Sequence, residues 1–261
     1  MRLKSFAFCL IAVLSTATFA ADAPTTQPLD KPGADGFISL FNGKDLSGWE
    51  GMDGYWSVKD GAITGSQTKE NAKHTFLVLK ASKAWPDQFA NFELHLKYKW
   101  MSDTGDSGIQ IRSKMVPDTR DPSNLYKVGG YQINTVPKRT YDGGLYDEAG
   151  QAGGRGIMSQ RGFKTIWDKD NKRTNEPLPQ TAEQLLAFVN QPNGEFNDLV
   201  FVANGGHLTI TINGHLMGDV IDESPKAVLH GGLIALQMHM GQAMTIQFKD
   251  IKIKLLDAPM N

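Results

Sequence analysis

Phe92, Leu94, Leu96, Tyr98 and Trp100 alternate with Glu93, His95, Lys97 and Lys99 over nine consecutive residues. A period of two puts the apolar set on one face of an extended chain and the charged set on the other. This stretch is therefore a half-buried strand, and its apolar face needs a second layer to cover it. Turn chemistry marks further strands. Trp56-Ser57-Val58 and Ala62-Ile63-Thr64 flank Asp60-Gly61, Leu199 to Ala203 and Leu208 to Ile212 flank Asn204-Gly205-Gly206, and Asn213-Gly214 leads into one strand more. Such residues accept the positive φ that tight hairpins require. Near the end of the chain Met244, Ile246 and Phe248 share one phase, while Ile251, Ile253 and Leu255 share the other. That one-residue slip predicts a β-bulge near Lys249-Asp250. One short helix is expected over Thr181 to Val189, where Thr181 and Gln184 have capping-box spacing. Many short strands with almost no helix, punctuated by 27 Gly and 12 Pro, make an all-β sandwich or barrel. Between Lys114 and Gln180 the alternation thins into Gly, Pro, Asp and Lys, which predicts long functional loops.

The start of the chain reads differently. Arg2 and Lys4 precede a short apolar run, Phe6 to Leu14, and Thr18-Phe19-Ala20 ends in small residues. This is the pattern of a secretory signal over residues 1–20. A Pro-rich, polar leader follows over residues 21–35, and a single folded domain is expected over 36–257. A secreted or periplasmic location follows. No later stretch approaches the ~20 apolar residues of a membrane-spanning helix. The one cysteine, Cys9, falls inside the signal, so the remainder has no disulfide, thiolate metal site or cysteine nucleophile. With 27 Lys plus Arg against 28 Asp plus Glu, the chain lacks the basic excess that nucleic acid selects. Neither a nucleophile elbow, a phosphate loop, a dinucleotide fingerprint nor a His-Glu zinc motif is present.

Three segments far apart in sequence share one peculiarity. Ile109 and Ile111 alternate with Gln110 and Arg112, Tyr131 and Ile133 with Gln132 and Asn134, and Leu236, Met238 and Met240 with Gln237 and His239. Each strand thus offers one apolar face and one face of amides, guanidinium or imidazole. A plain solvent face carries Lys, Glu, Thr and Ser, as the Glu93 to Lys99 strand does. The amide-rich faces instead have the fixed hydrogen-bond directions that suit sugar hydroxyls and carbonyls.

Carboxylates are scarcer. Asp147-Glu148 are adjacent, so on a strand only one of the two reaches a given face. A retaining glycosidase needs two carboxylates about 5 Å apart on one face, and that spacing is absent. Asp147-Glu148 therefore reads as a solvated loop pair, as part of an acid/base site, or as ligands, with backbone oxygens, of a divalent cation such as a hard metal ion. His239 is the only histidine on the inferred polar face, and it is either structural or catalytic.

These residues bring a resemblance into view. Phe37-Ile38-Ser39-Leu40-Phe41-Asn42-Gly43-Lys44-Asp45-Leu46-Ser47-Gly48-Trp49, Asp106-Ser107-Gly108-Ile109-Gln110-Ile111-Arg112, Gly130-Tyr131-Gln132, Gly144-Leu145-Tyr146-Asp147-Glu148, and Leu236-Gln237-Met238-His239-Met240-Gly241 running into Phe248-Lys249-Asp250-Ile251-Lys252-Ile253 resemble the 3-keto-disaccharide hydrolase domain family. The likeness covers Phe37 to Leu256. It implies a concanavalin-like, jelly-roll β-sandwich of two antiparallel sheets and a secreted protein acting on 3-keto-glycosides as hydrolase, 1,2-lyase or hydratase. Three departures from the family pattern stand out: Asp106 replaces the common Asn; Gly130 takes the place of the frequent acidic residue before Tyr-Gln and Asn134 stands where relatives of this subtype carry Asp; and Phe196-Asn197 replaces Trp-Asn.

The implied chemistry is elimination. A ketone at C3 acidifies the C2 proton, a base removes it, the C1 substituent leaves, and water adds back to the enone. By residue type and parity, Glu148 or His239 is the base in that scheme and Arg112, alone or beside a cation, is the partner of the enolate. Gln110, Gln132, Asn134, Tyr146 and Gln237 then bind substrate, and Asp147 is the candidate metal ligand. The rival expectation is a non-catalytic carbohydrate-binding module with the same face and no turnover.

Overall fold

The computed structural model describes residues 31–84, 86–137, 141–225 and 227–257. The expected signal, residues 1–20, and the expected leader through residue 30 lie outside the described residues. In chain order the strands are β1 (Ile38–Ser39), β2 (Trp49–Glu50), β3 (Trp56–Lys59), β4 (Ala62–Gln67), β5 (Thr75–Leu79), β6 (Phe92–Trp100), β7 (Ser107–Met115), β8 (Val128–Thr135), β9 (Leu145–Glu148), β10 (Ile157–Ser159), β11 (Phe163–Trp167), β12 (Arg173–Pro177), β13 (Asn197–Asn204), β14 (His207–Ile212), β15 (His215–Asp222), β16 (Leu233–Met238) and β17 (Met244–Leu255). Two five-residue helices, α1 (Lys80–Ala84) and α2 (Ala182–Leu186), interrupt them.

Among the described residues the strands form two sheets. The larger has ten strands, ordered β12-β11-β15-β14-β13-β6-β17-β4-β3, with β1 beside β17; the smaller has seven, ordered β10-β9-β8-β7-β16-β5-β2. The nine-residue alternation becomes β6, in the middle of the larger sheet. Its apolar face is buried, with Phe92, Leu94 and Tyr98 at 0% exposure. Ile109, Ile111, Tyr131, Ile133, Leu236 and Met238 from the smaller sheet join it in one core cluster. Packing sheet on sheet leaves each with one outward face. The architecture is the expected jelly-roll sandwich, with one local difference: β11 runs parallel to β15.

The local signals hold. Asp60-Gly61 and Asn213-Gly214 both have positive φ at their two central positions, the primed-turn geometry of hairpins. The phase slip is a register shift between Lys249 and Lys252, with Asp250 at φ 52°. Thr181 and Gln184 close a full capping box on α2. The stretch from Lys114 to Gln180 is more regular than its composition implies, because it carries β8 to β12. β8 is buried along nearly its whole length and β12 is exposed along all of it, so neither alternates. A periodicity rule is blind to both cases.

Candidate functional site

Strand register builds the site on the outward face of the seven-stranded sheet. Gln110, Gln132 and Tyr146 stand side by side on β7, β8 and β9, and Gly108 is opposite Asn134. The amides bond to one another in a chain. Ser113 Oγ donates to Gln110 Oε1 at 2.8 Å, Gln110 Nε2 to Gln132 Oε1 at 2.5 Å, and Gln132 Nε2 to Asn134 Oδ1 at 2.8 Å. Each amide is thereby locked in one orientation, which makes a rigid polar floor. Gly108 permits it, since a Cβ there would lie 2.5 Å from Gln132 Cγ.

The sheet curls over this floor. His74 just precedes β5, and Glu148 ends β9, with β8, β7 and β16 between those two strands. Four interstrand spacings would put them ~19 Å apart in a flat sheet. Instead His74 Nε2 lies 3.4 Å from Glu148 Oε1. Gln237 Nε2 from β16 sits between them, 3.1 Å from His74 Nε2 and 3.4 Å from Glu148 Oε2. The His74 and His239 rings are 4.7 Å apart. The other half of this face is apolar: Phe76, Val78, Val128, Leu233 and Ala235 pack with Met115 and Tyr126. The connection from β7 to β8 covers that half and extends Arg120 and Lys127 over the polar half.

The result is a cavity of about 460 Å³. Glu148, His74, His239, Asp106, Arg120 and Lys127 are its acidic and basic side chains; Gln132, Asn134, Tyr141, Tyr146, Ala149 and Ile157 complete the wall. Burial raises the pKa of Glu148, and His239 and Lys127 only partly oppose this. Burial likewise raises Asp106, against the pull of His239. Burial, with His239 and Lys127 nearby, drives His74 down to about 3, so it is neutral at working pH. His239 Nδ1 is 3.0 Å from the Met240 carbonyl. In the neutral ring that nitrogen carries the proton and donates, leaving the Nε2 lone pair for chemistry.

The sequence-predicted residues divide into three groups. Glu148, His239, Gln132, Asn134 and Tyr146 meet in the cavity. Gln110 and Gln237, both 0% exposed, lie beneath and hold the others. Arg112 and Asp147 are elsewhere. The expected parity of Arg112 fails because β7 slips register between Ile111 and Lys114 and Arg112 takes φ 45°. Its guanidinium turns toward the other sheet and donates to three carbonyls. Nε reaches Ala90 at 2.8 Å, and Nη1 reaches Gly205 at 2.7 Å and Leu229 at 2.9 Å, with Nη2 also on Ala90. It is a structural tie and not the enolate's partner. Asp147 points to the opposite face from Glu148, and its carboxylate accepts the Ala152 and Arg155 amides at 2.6 and 2.9 Å. Both oxygens are committed to the loop, so Asp147 does not fit the role of metal ligand. Among the described residues no three His, Cys, Asp or Glu are grouped to hold a metal ion.

His239 also has company that the sequence did not announce. His74 and Asp106 share its face by the same alternation, two residues before Phe76 and two before Gly108, and extending the parity count past the strand ends would have found them. Arg120, Lys127 and Tyr141 come from connections, where no periodicity operates. A depression of about 570 Å³ on the outside of the ten-stranded sheet is a weaker site. Its cations are paired already, Lys97 with Asp250 at 3.2 Å and Lys252 with Asp35 at 3.1 Å.

Comparison with known proteins now decides the family. The model of the 3-keto-alpha-glucoside-1,2-lyase-like domain matches residues 36–254. The chain belongs to this family. A curated relative, the 3-keto-disaccharide hydrolase of Bacteroides thetaiotaomicron, is 32% identical over 100 residues. That match takes in 34% of the chain and 31% of the relative, so the chain spans about a third of that protein. Among solved structures, a candidate glycosyl hydrolase from Parabacteroides distasonis superimposes with TM-score 0.52 at 21% identity, covering 86% of this chain and 95% of the other. A Bacillus subtilis protein with a galectin-like fold has TM-score 0.50 at 13% identity, covering 82% and 92%. At these identities the structures show the shared sandwich alone.

Proposed function

We propose that this family member is a secreted enzyme that cleaves 3-keto-glycosides at the cavity over β7, β8, β9 and β16, by proton abstraction at C2 and β-elimination at C1. The observation that carries the reading is the convergence of Glu148 and His239 on one cavity whose floor is a chain of oriented amides. A carbohydrate needs directional hydrogen bonds across its whole face, and the floor supplies them without moving. A C2 proton beside a ketone needs a base with high proton affinity. Glu148, its pKa raised by burial, is such a base, and the Gln237 amide holds its carboxyl in place.

The enolate that follows needs positive charge near the C3 oxygen. Lys127 and Arg120, on the wall of the cavity, take the role that the sequence suggested for Arg112. Water then adds at C1 and the net change is hydrolysis. The signal pattern of residues 1–20 supports action outside the cytoplasm.

The test uses a 3-keto-glucoside deuterated at C2. Wild-type protein should release the aglycone and wash the label into water, or slow with deuterium if proton removal limits the rate. Glu148→Gln should lower turnover by about 10²-fold or more, the scale of a general base. If Glu148→Gln is harmless and His239→Asn is not, the base is His239 Nε2. Binding of the keto-sugar with neither exchange nor release would make the domain a carbohydrate-binding module.

A further inference from the structure

The elimination leaves an unfilled role, a proton for the oxygen that departs from C1, and the position where this chain carries Asp106 fills it. We propose that Asp106 is the general acid of the site, delivering its carboxyl proton to the leaving-group oxygen; this rests on the elimination reading above.

The geometry is that of a cross-strand pair. The His239 amide donates to the Asp106 carbonyl at 3.2 Å. Counting on from Leu236 opposite Ile109 makes Asp106 and His239 direct neighbours across the β7–β16 seam. Directly opposite residues on a sheet have Cβ atoms ~5 Å apart and side chains on the same face. Asp106 also shares the parity of Gly108 and Gln110, so its carboxyl rises on the floor side. Ser107 pins the seam, its Oγ donating to the Gln237 carbonyl at 2.7 Å. Asp106, just ahead of β7, and Glu148, at the end of β9, both line the cavity, and β8 lies between β7 and β9. An elimination across two adjacent sugar carbons wants a base at one and an acid at the other, and this places one on each side.

Asp106 is suited to hold a proton. Among the described residues it makes no ion pair with any lysine or arginine, unlike Asp118, Asp121 and Asp222. Burial favours its neutral form. Two phenols also line the wall. Tyr141 is 54% exposed, out toward solvent, and burial beside Glu148 raises the pKa of Tyr146 above that of an ordinary phenol, which makes it the poorer donor.

The step balances. Glu148 takes the C2 proton and the C1–O bond breaks as the C1–C2 double bond forms. The departing oxygen takes the Asp106 proton and leaves as an alcohol. The Asp106 carboxylate then accepts a proton from the water that adds at C1, and protonated Glu148 returns a proton to C2. One water is consumed and both carboxyls are restored.

Leaving-group dependence tests this. Asp106→Asn is assayed on two 3-keto-glucosides, one with a 4-nitrophenyl aglycone, which leaves as a stable anion, and one with a methyl or sugar aglycone, which does not. The variant should lose about 10²-fold or more in turnover on the alkyl substrate. On the nitrophenyl substrate the loss should shrink to a few-fold, and C2 deuterium exchange should persist on both. Asp106→Glu should recover part of the alkyl activity, which a merely structural role would not predict. Equal losses on both substrates, or no loss on either, would overturn the assignment. If the wild type neither exchanges nor releases, the elimination reading fails, and that result is distinguishable because it needs no variant.

Discussion

Arg112→Met separates structure from catalysis more sharply than any change in the cavity. Arg112 is 1% exposed and its guanidinium serves the carbonyls of Ala90, Gly205 and Leu229, which belong to three different connections. Methionine fills most of the volume but donates nothing. Each buried carbonyl left without a donor costs about 1–3 kcal/mol. Two effects trim the total. Water reaches some freed carbonyls, and the wild-type ion is itself costly to bury, since burial lowers its pKa to about 10. A net loss of roughly 4 kcal/mol follows from three carbonyls. With a urea slope of ~2 kcal/mol per molar, the midpoint should fall by ~2 M. Arg112→Lys should fall between, because one ammonium cannot span three carbonyls in a fork. Urea denaturation by fluorescence measures the shift, and turnover of the folded variant on a 3-keto-glucoside should match the wild type. A midpoint change under ~0.5 M together with a ~10²-fold loss of turnover would refute the structural role and return Arg112 to the enolate.

Two further outcomes follow from the site. The folded-state pKa of Glu148 is raised above its unfolded value. Its ionised form therefore burdens the folded state at pH above that pKa, and the burden disappears below the unfolded pKa. Glu148→Gln should melt higher than the wild type near pH 7 to 8, with the gain vanishing toward pH 4; a constant gain across that range would mean that ionisation is not the cause. The acid limb of the wild-type rate should correspondingly sit above the ordinary carboxylate range, as a pH profile of kcat/KM will show. Gly108→Ala would place a Cβ 2.5 Å from Gln132 Cγ, so Gln132 must leave its bonds to Gln110 and Asn134. A rise in KM at nearly constant fold, with stability lowered by about 1–3 kcal/mol from overpacking, is expected by titration calorimetry and melting.

Most of the polar face was legible because β7, β8 and β16 pair in simple register around Gln110, Gln132 and Gln237, where alternation alone fixes direction. Legibility stopped where backbone geometry departs from alternation. Arg112 lies at a bulge, and no residue type announces it; the partner strand answers with Gly130 at φ 150°, where a Cβ would meet Ser113 Oγ. Asp147 and Glu148 split to opposite faces as adjacent strand residues must, which is why one joins the cavity and the other caps a loop. Arg120 and Lys127 reach the site only because their connection folds back over Phe76 and Val78. That placement is tertiary, and composition carries no trace of it. The reading of residues 1–20 as a signal rests on sequence pattern alone, as they lie outside the described residues.

One feature of the topology bears on how the molecule comes into being. β17, the last described strand, lies between β6 and β4 in the larger sheet and also receives β1. Translation therefore delivers an interior strand of the sheet after both of its neighbours. Until residues 244–255 emerge, β4 and β6 each hold an open row of amides and carbonyls along the edge that β17 will fill. The two flanks cannot lock as a nascent chain, so closure is a single late event joining distant parts of the polypeptide. Such closure is slow, because the loop entropy is spent before the contacts form. A chain held unfolded until synthesis ends loses nothing by the delay, whereas one stalled before residue 244 presents two unsatisfied sheet edges to its neighbours.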